Sequence, residues 1–368
     1  MPLKPSLFAL AFVLGVTGCA NVPVFNAAPA EFVEKDGSTP LSPAALATAV
    51  REKNGLRAQY ASTTDALKAG DTAGYLTLLA AMPAEEREQD RFANAYLALD
   101  RAADGDMAGA RAYLGLTGNA ADDFEKPGFY LWIDAWFMAL EGDLEGAINR
   151  HREVAGGMPG ITADLSLAAM LEAAGRNEEA LAVYESLTPT NIEAPEHEFD
   201  PQGIVFAHIS TVIVRHALLL QRMGRIEESK LVYQKLADAE PEQSTSYAAA
   251  IDSLETGKNL HNKPLTVQTG FALALSDVSY SMQQQRFIQT VMMGGSIDGF
   301  DEKRAAFDLS ILLVDPANEN VRGGIIDALY EEALYAGAAH VALSAPETSP
   351  SLEISAAQRS EERRVGKE

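Results

Sequence analysis

The sequence predicts an all-α chain of helical hairpins stacked side by side as an α-solenoid. Three observations lead there. A glycine followed by Asp or Arg recurs after an apolar run, at Ala69-Gly70-Asp71, Asp104-Gly105-Asp106, Glu141-Gly142-Asp143, Ala174-Gly175-Arg176 and Met223-Gly224-Arg225, with glycine spacings of 35, 37, 33 and 49. Small residues keep fixed offsets from those glycines: Ala98, Ala135, Ala168 and Ala217 stand seven before, and Ala110, Ala147, Ala180 and Ser229 five after. Aromatic residues are only 7% of the chain while alanine is plentiful, which suits close-packed helices better than a β-sandwich.

The chain opens with MPLKPSLFALAFVLGVTGCA. Lys4 supplies a positive start, and the apolar stretch Leu7–Val16 would span about 15 Å as a helix, half of a bilayer core. That length fits a signal-peptide core and is too short for a stable membrane span. Val16-Thr17-Gly18-Cys19 resembles the lipobox of bacterial lipoproteins, in which the cysteine thiol is alkylated with diacylglycerol and the peptide is cut just before it. Cys19 is the single cysteine of the chain, so no intrachain disulfide is expected. Several acyl chains there would anchor the protein firmly, since one chain alone holds only marginally. By the same resemblance, Ala20 after the cysteine implies sorting to the outer membrane, on its periplasmic face. Residues 19–43 carry Pro23, Pro29, Pro40 and Pro43 among small and polar residues and are expected to form a flexible tether.

The body repeats. The segment Leu165–Leu187, LSLAAMLEAAGRNEEALAVYESL, resembles the tetratricopeptide (TPR) pattern, and Arg215–Pro241 follows it. In such a unit the glycine ends the first helix in a left-handed conformation. The small residues let the two helices approach closely. Tyr184 and Tyr233, nine after the glycine, wedge between units, and Pro159 and Pro241 end the second helices. The resemblance covers roughly residues 55–346, strongest in 165–241, and implies a right-handed superhelix with an extended concave binding face. Tyr75 stands where a small residue belongs, so the first pairs are TPR-like or capping.

Thr188–Gly203, rich in proline and carboxylates, is expected to be an exposed loop that accounts for the long fourth spacing. From Gln268 the pattern changes register. GFALALSDVSYSMQQQRFIQTVMM reads as one or two helices, GGSIDG as a loop, and the stretch from Leu309 as a helix end, Asp-Pro, and a further helical pair ending at Gly337. Residues 359–368, RSEERRVGKE, resemble the translation of a common sequencing adapter, so the gene is expected to continue differently beyond about Gln358. The resulting division is a signal peptide (1–18), a tether (19–43), N-terminal helical pairs (44–125), a TPR core (126–256), C-terminal helices (257–346) and a tail (347–368).

The formal net charge of -23 argues against nucleic acid, which requires a basic footprint, and against a basic membrane patch, and favours a cationic partner if any charge selection operates. The six histidines are scattered, and His197 among acidic neighbours lacks metal-ligand spacing. No H-E-x-x-H, G-x-S-x-G or P-loop occurs, so neither an enzyme nor a cofactor is expected. The candidate contact residues are Trp132 and Trp136, four apart on one helix face in the densest aromatic cluster, and His208 and His216, two turns apart. For the tryptophans, packing between units competes with a groove platform for a peptide or glycan. The expected function is that of a lipid-anchored, periplasm-facing scaffold binding an envelope protein or peptide in assembly or export. The alternative is a glycan-binding or enzymatic lipoprotein whose active domain follows the apparent end.

Overall fold

The computed structural model describes residues 60–88, 90, 92–116, 126–154, 160–188, 201–239, 244–257, 263–292 and 300–345. The leader, Cys19, the tether and the tail lie outside these residues, as does the GGSIDG segment. All regular structure among the described residues is α-helical. The helices are α1 (Thr63–Lys68), α2 (Thr72–Ala81), α3 (Ala84–Arg87), α4 (Ala93–Ala103), α5 (Met107–Leu114), α6 (Gly128–Leu140), α7 (Leu144–Val154), α8 (Gly160–Ala173), α9 (Asn177–Leu187), α10 (Pro201–Arg222), α11 (Ile226–Ala239), α12 (Ser244–Thr256), α13 (Val267–Met292), α14 (Glu302–Val314), α15 (Glu319–Glu331) and α16 (Tyr335–Leu343). None is long and apolar enough to cross a membrane.

The recurrent Gly-Asp and Gly-Arg pairs each form a tight turn between two helices. The five glycines have φ between 65° and 94°, the left-handed region. The next residue starts the second helix by one of two chemistries. Asp71, Asp106 and Asp143 are N-caps, each accepting a hydrogen bond from a backbone N–H three residues on, at Gly74 (2.8 Å), Gly109 (2.9 Å) and Gly146 (2.9 Å). Arg176 and Arg225 make no such cap and instead grip Glu179 and Glu228 through paired hydrogen bonds of 2.6 Å.

The small residues at fixed offsets are all buried without exposure: Ala98, Ala135, Ala168 and Ala217 in the first helices, Ala110, Ala147, Ala180 and Ser229 in the second. At the α10–α11 crossing the approach is close enough for the Ser229 hydroxyl to donate to the Ala217 carbonyl at 2.9 Å. Tyr184 and Tyr233 are buried as well.

Contacts divide the chain into two compact units, residues 163–266 as one and 39–162 with 267–368 as the other, apart from the N-terminal residues outside those described. In the 163–266 unit, α10 packs on α9 and α11, and α11 on α12. Ile213, Val214, Ala217, Tyr233, Leu236, Tyr247 and Leu254 form a continuous core there.

In the other unit, hairpins α1–α2, α4–α5 and α6–α7 are joined by helices from far along the chain. α13 packs on α6 and α14, and α14 packs on α1, α2, α4 and α15. α5 is tied to α6 by Arg111, which donates to Asp134 at 2.7 Å and to both oxygens of Glu141 at 3.0 and 2.7 Å. α13 is a single helix of 26 residues rather than two.

Two expectations need correction. Gly337 does not end a helical pair. It lies inside α16, where a Cβ would stand 2.2 Å from the Lys68 carbonyl oxygen, so its small size serves a close approach to α1. The turn between α15 and α16 is made instead by Ala333, with φ 57°, a conformation that strains any residue bearing a Cβ. Ala333→Gly is therefore expected to stabilise the protein by about 1 kcal/mol, read as a higher urea midpoint at unchanged slope; an unchanged or lower midpoint would contradict that geometry. The loop expected to run as far as Gly203 also ends earlier, because α10 begins at Pro201, where proline's missing N–H costs nothing at a helix start.

Candidate functional site

Two clusters include the residues singled out from sequence. The first lies around α6. Trp132 and Trp136 both have 0% exposure, so neither offers a face to a ligand. The reason is Phe271 of α13. Its ring stacks on Trp136 with centroids 5.2 Å apart and planes 12° from parallel, and meets Trp132 and Phe137 edge-on at 6.1 and 6.3 Å. Phe307 of α14 extends the cover, meeting Phe92 at 5.9 Å, Tyr96 at 6.1 Å and Phe129 at 6.3 Å. The groove platform is thus filled by the chain's own C-terminal helices, and the two tryptophans belong to the core.

The seam between these helices is not wholly apolar. Ser279 of α13 donates to the buried Asp308 of α14 at 2.6 Å, and Arg304 supports the same carboxylate at 3.3 Å. Burial raises the Asp308 pKa above the ordinary carboxylate value, against the pull of Arg304.

The second cluster lies in the 163–266 unit and is the candidate site. Glu172, three residues before the turn glycine of α8, points inward with 2% side-chain exposure. Its Oε1 accepts a hydrogen bond from the Tyr184 hydroxyl of α9 at 2.8 Å, and its Oε2 accepts one from Arg222 Nη2 of α10. Three helices of two successive hairpins therefore meet on one carboxylate. Burial first, and Glu172 second, push the Tyr184 hydroxyl far above its usual range, so it remains a donor at any working pH.

His216 of α10 lies against the other part of this cluster. Its ring is parallel to that of Tyr184 within 9°, with centroids 6.5 Å apart, and the residue is 8% exposed. Its Nδ1 and the Nε of Arg222 are buried and make no hydrogen bond. The His216 pKa is lowered, chiefly by burial. The side chain of His208 lies outside those described, as do Cys19 and His197.

Chemically the cluster is a fixed ion pair capped by a phenol. It holds α8, α9 and α10 in register rather than presenting a nucleophile beside a base. Glu172 and Arg222 were not anticipated from sequence, yet a signal existed. Glu172 interrupts the apolar run LSLAAML-E-AAG, and Arg222 holds nearly the same place before Gly224. Opposite charges near the ends of two successive first helices are neighbours once the hairpins stack.

No family model matches the chain, and no curated protein matches it.

Proposed function

We propose that this chain is a TPR-type scaffold, anchored by lipid at Cys19 to the periplasmic face of the outer membrane, that binds another envelope protein or a peptide segment of one. The observation that carries the reading is the recurrence of one hairpin design: five glycine turns of common backbone geometry, four of them flanked by small residues buried at the same offsets. An array built from equivalent units presents repeated surfaces, and such arrays serve extended partners. The Val16–Cys19 motif supports the anchor. With Trp132 and Trp136 covered, binding falls to outward faces such as α9 and α11, where Glu178, Glu185 and Glu227 are exposed and favour a segment bearing Lys or Arg.

The test is photo-crosslinking in cells. A photoreactive residue is placed at Ala182 of α9 or at Leu231 of α11, which is 58% exposed, with Trp136 as a buried control. One specific protein adduct from the outer positions, absent at the control, is expected. Absence of any specific adduct from either outer position would overturn the scaffold. Cys19→Ala is expected to release the protein from membranes; retention in the membrane fraction would remove the anchor.

A further inference from the structure

We propose that His216 is an acid-sensitive latch on the seam between α9 and α10: uptake of one proton by its imidazole favours a local opening that separates the two helices. The geometry carries this. The ring runs parallel to that of Tyr184, offset from it with centroids 6.5 Å apart, so it stands in the seam between the two helices. It is more than nine-tenths buried, and Nδ1 has neither a hydrogen-bond partner nor water access. A neutral imidazole tolerates that position at the cost of one unmade hydrogen bond. An imidazolium there would carry a second N–H donor, and a charge, into a place with no acceptor for Nδ1.

The surrounding charges do not supply compensation. From α9 comes Glu185, from α11 Glu228 and Lys235, and from the turn before α11 Arg225. Two are negative and two positive, and Glu228 is already held by Arg225. Glu172 of α8 is committed to Tyr184 and Arg222, and Arg215 and Arg222 on α10 add positive charge beside Tyr184. Desolvation therefore dominates, in agreement with the lowered pKa.

A histidine whose pKa is lower in the closed state than when exposed binds its proton first in the open state. Its stabilising contribution is complete above the exposed value of about 6.5 and is lost as pH falls below it. Between pH 7.5 and 5.5 the opening equilibrium rises by at most about tenfold, the limit reached if the closed state stays neutral throughout.

Amide hydrogen exchange on the full chain tests this, with rates corrected for the intrinsic effect of pH. Peptides from α9 and α10 are expected to lose protection by up to about tenfold between pH 7.5 and 5.5. In His216→Phe, which keeps a ring beside Tyr184 but has no site for a proton, that loss is expected to vanish. His151 serves as an internal control, because it is fully buried on α7 with its pKa pushed down to about 4 by burial and by Arg152. Its acid response in α6–α7 is expected to persist in the variant. Equal loss of α9–α10 protection in His216→Phe and the parent chain would overturn the latch. Should the variant not fold, the imidazole proton resonances of the unaltered protein decide. A His216 ring that stays neutral well below pH 6.5 while α9–α10 exchange accelerates is the expected result, and a ring titrating at the ordinary value would overturn the proposal.

Discussion

Trp136→Ala is expected to cost about 3–5 kcal/mol of unfolding free energy in the unit formed by 39–162 and 267–368, equivalent to roughly 6–20 °C in its Tm. The side chain is wholly enclosed, it carries a parallel stack on Phe271, and its removal would leave a hole between α6 and α13 too rigidly walled to collapse. Trp136→Phe keeps part of the stack and is expected to cost about 1–2 kcal/mol. The measurement distinguishes a core residue from a groove residue. A tryptophan serving as an open platform would weaken binding and leave the urea midpoint almost unmoved. A loss below about 1 kcal/mol would therefore mean that Phe271 does not cover the ring. The chain has two tryptophans, both on α6, so fluorescence follows this unit alone while far-ultraviolet dichroism follows every helix. In the variant the fluorescence transition is expected to precede the dichroism transition, as two units with different stabilities require.

The helical hairpins were legible because their rules are local. A glycine that must be left-handed, an Asp that caps the next helix and small residues at the crossing all act within about a dozen positions of one another. The same locality explains what could not be read. Nothing near Trp136 in sequence announces Phe271, which lies on a helix belonging to a later register. The apolar pattern of α13, with Phe271, Ala272, Ala274, Leu275 and Val278 all buried, indicates a helix covered on more than one side but does not identify what covers it. Gly337 misled for a related reason. A glycine after an apolar run signals a turn when the constraint is φ, whereas here the constraint is a backbone 2.2 Å away from a Cβ that glycine lacks, across more than 260 residues of sequence. Ala333 then takes the left-handed position without the residue type that marks it.

The Glu172–Arg222 pair supplies the other large effect. Arg222→Ala is expected to destabilise the 163–266 unit by about 3–5 kcal/mol, because a carboxylate with 2% side-chain exposure loses its counter-charge and keeps only the Tyr184 hydroxyl. Glu172→Leu alone is expected to be costly for the mirror reason, though less so, since Arg222 is 14% exposed and swings its guanidinium toward water more readily. The decisive variant carries both changes. If the network fixes register between hairpins by charge pairing, replacing both partners with apolar side chains, Glu172→Leu with Arg222→Met, removes the uncompensated charge and recovers most of the loss. The double-mutant cycle is then expected to show a coupling of about 2–3 kcal/mol, measured by urea unfolding followed by far-ultraviolet dichroism. Additive losses would mean that the two side chains do not sense each other and that α8 and α10 are held by apolar contacts alone. A double variant that recovers stability yet loses protection against hydrogen exchange in α9 would separate the two roles. Apolar groups would then be sufficient for the energy between hairpins, while the carboxylate, through its hydrogen bond from Tyr184, would be what aligns α9 on α8 within the first hairpin.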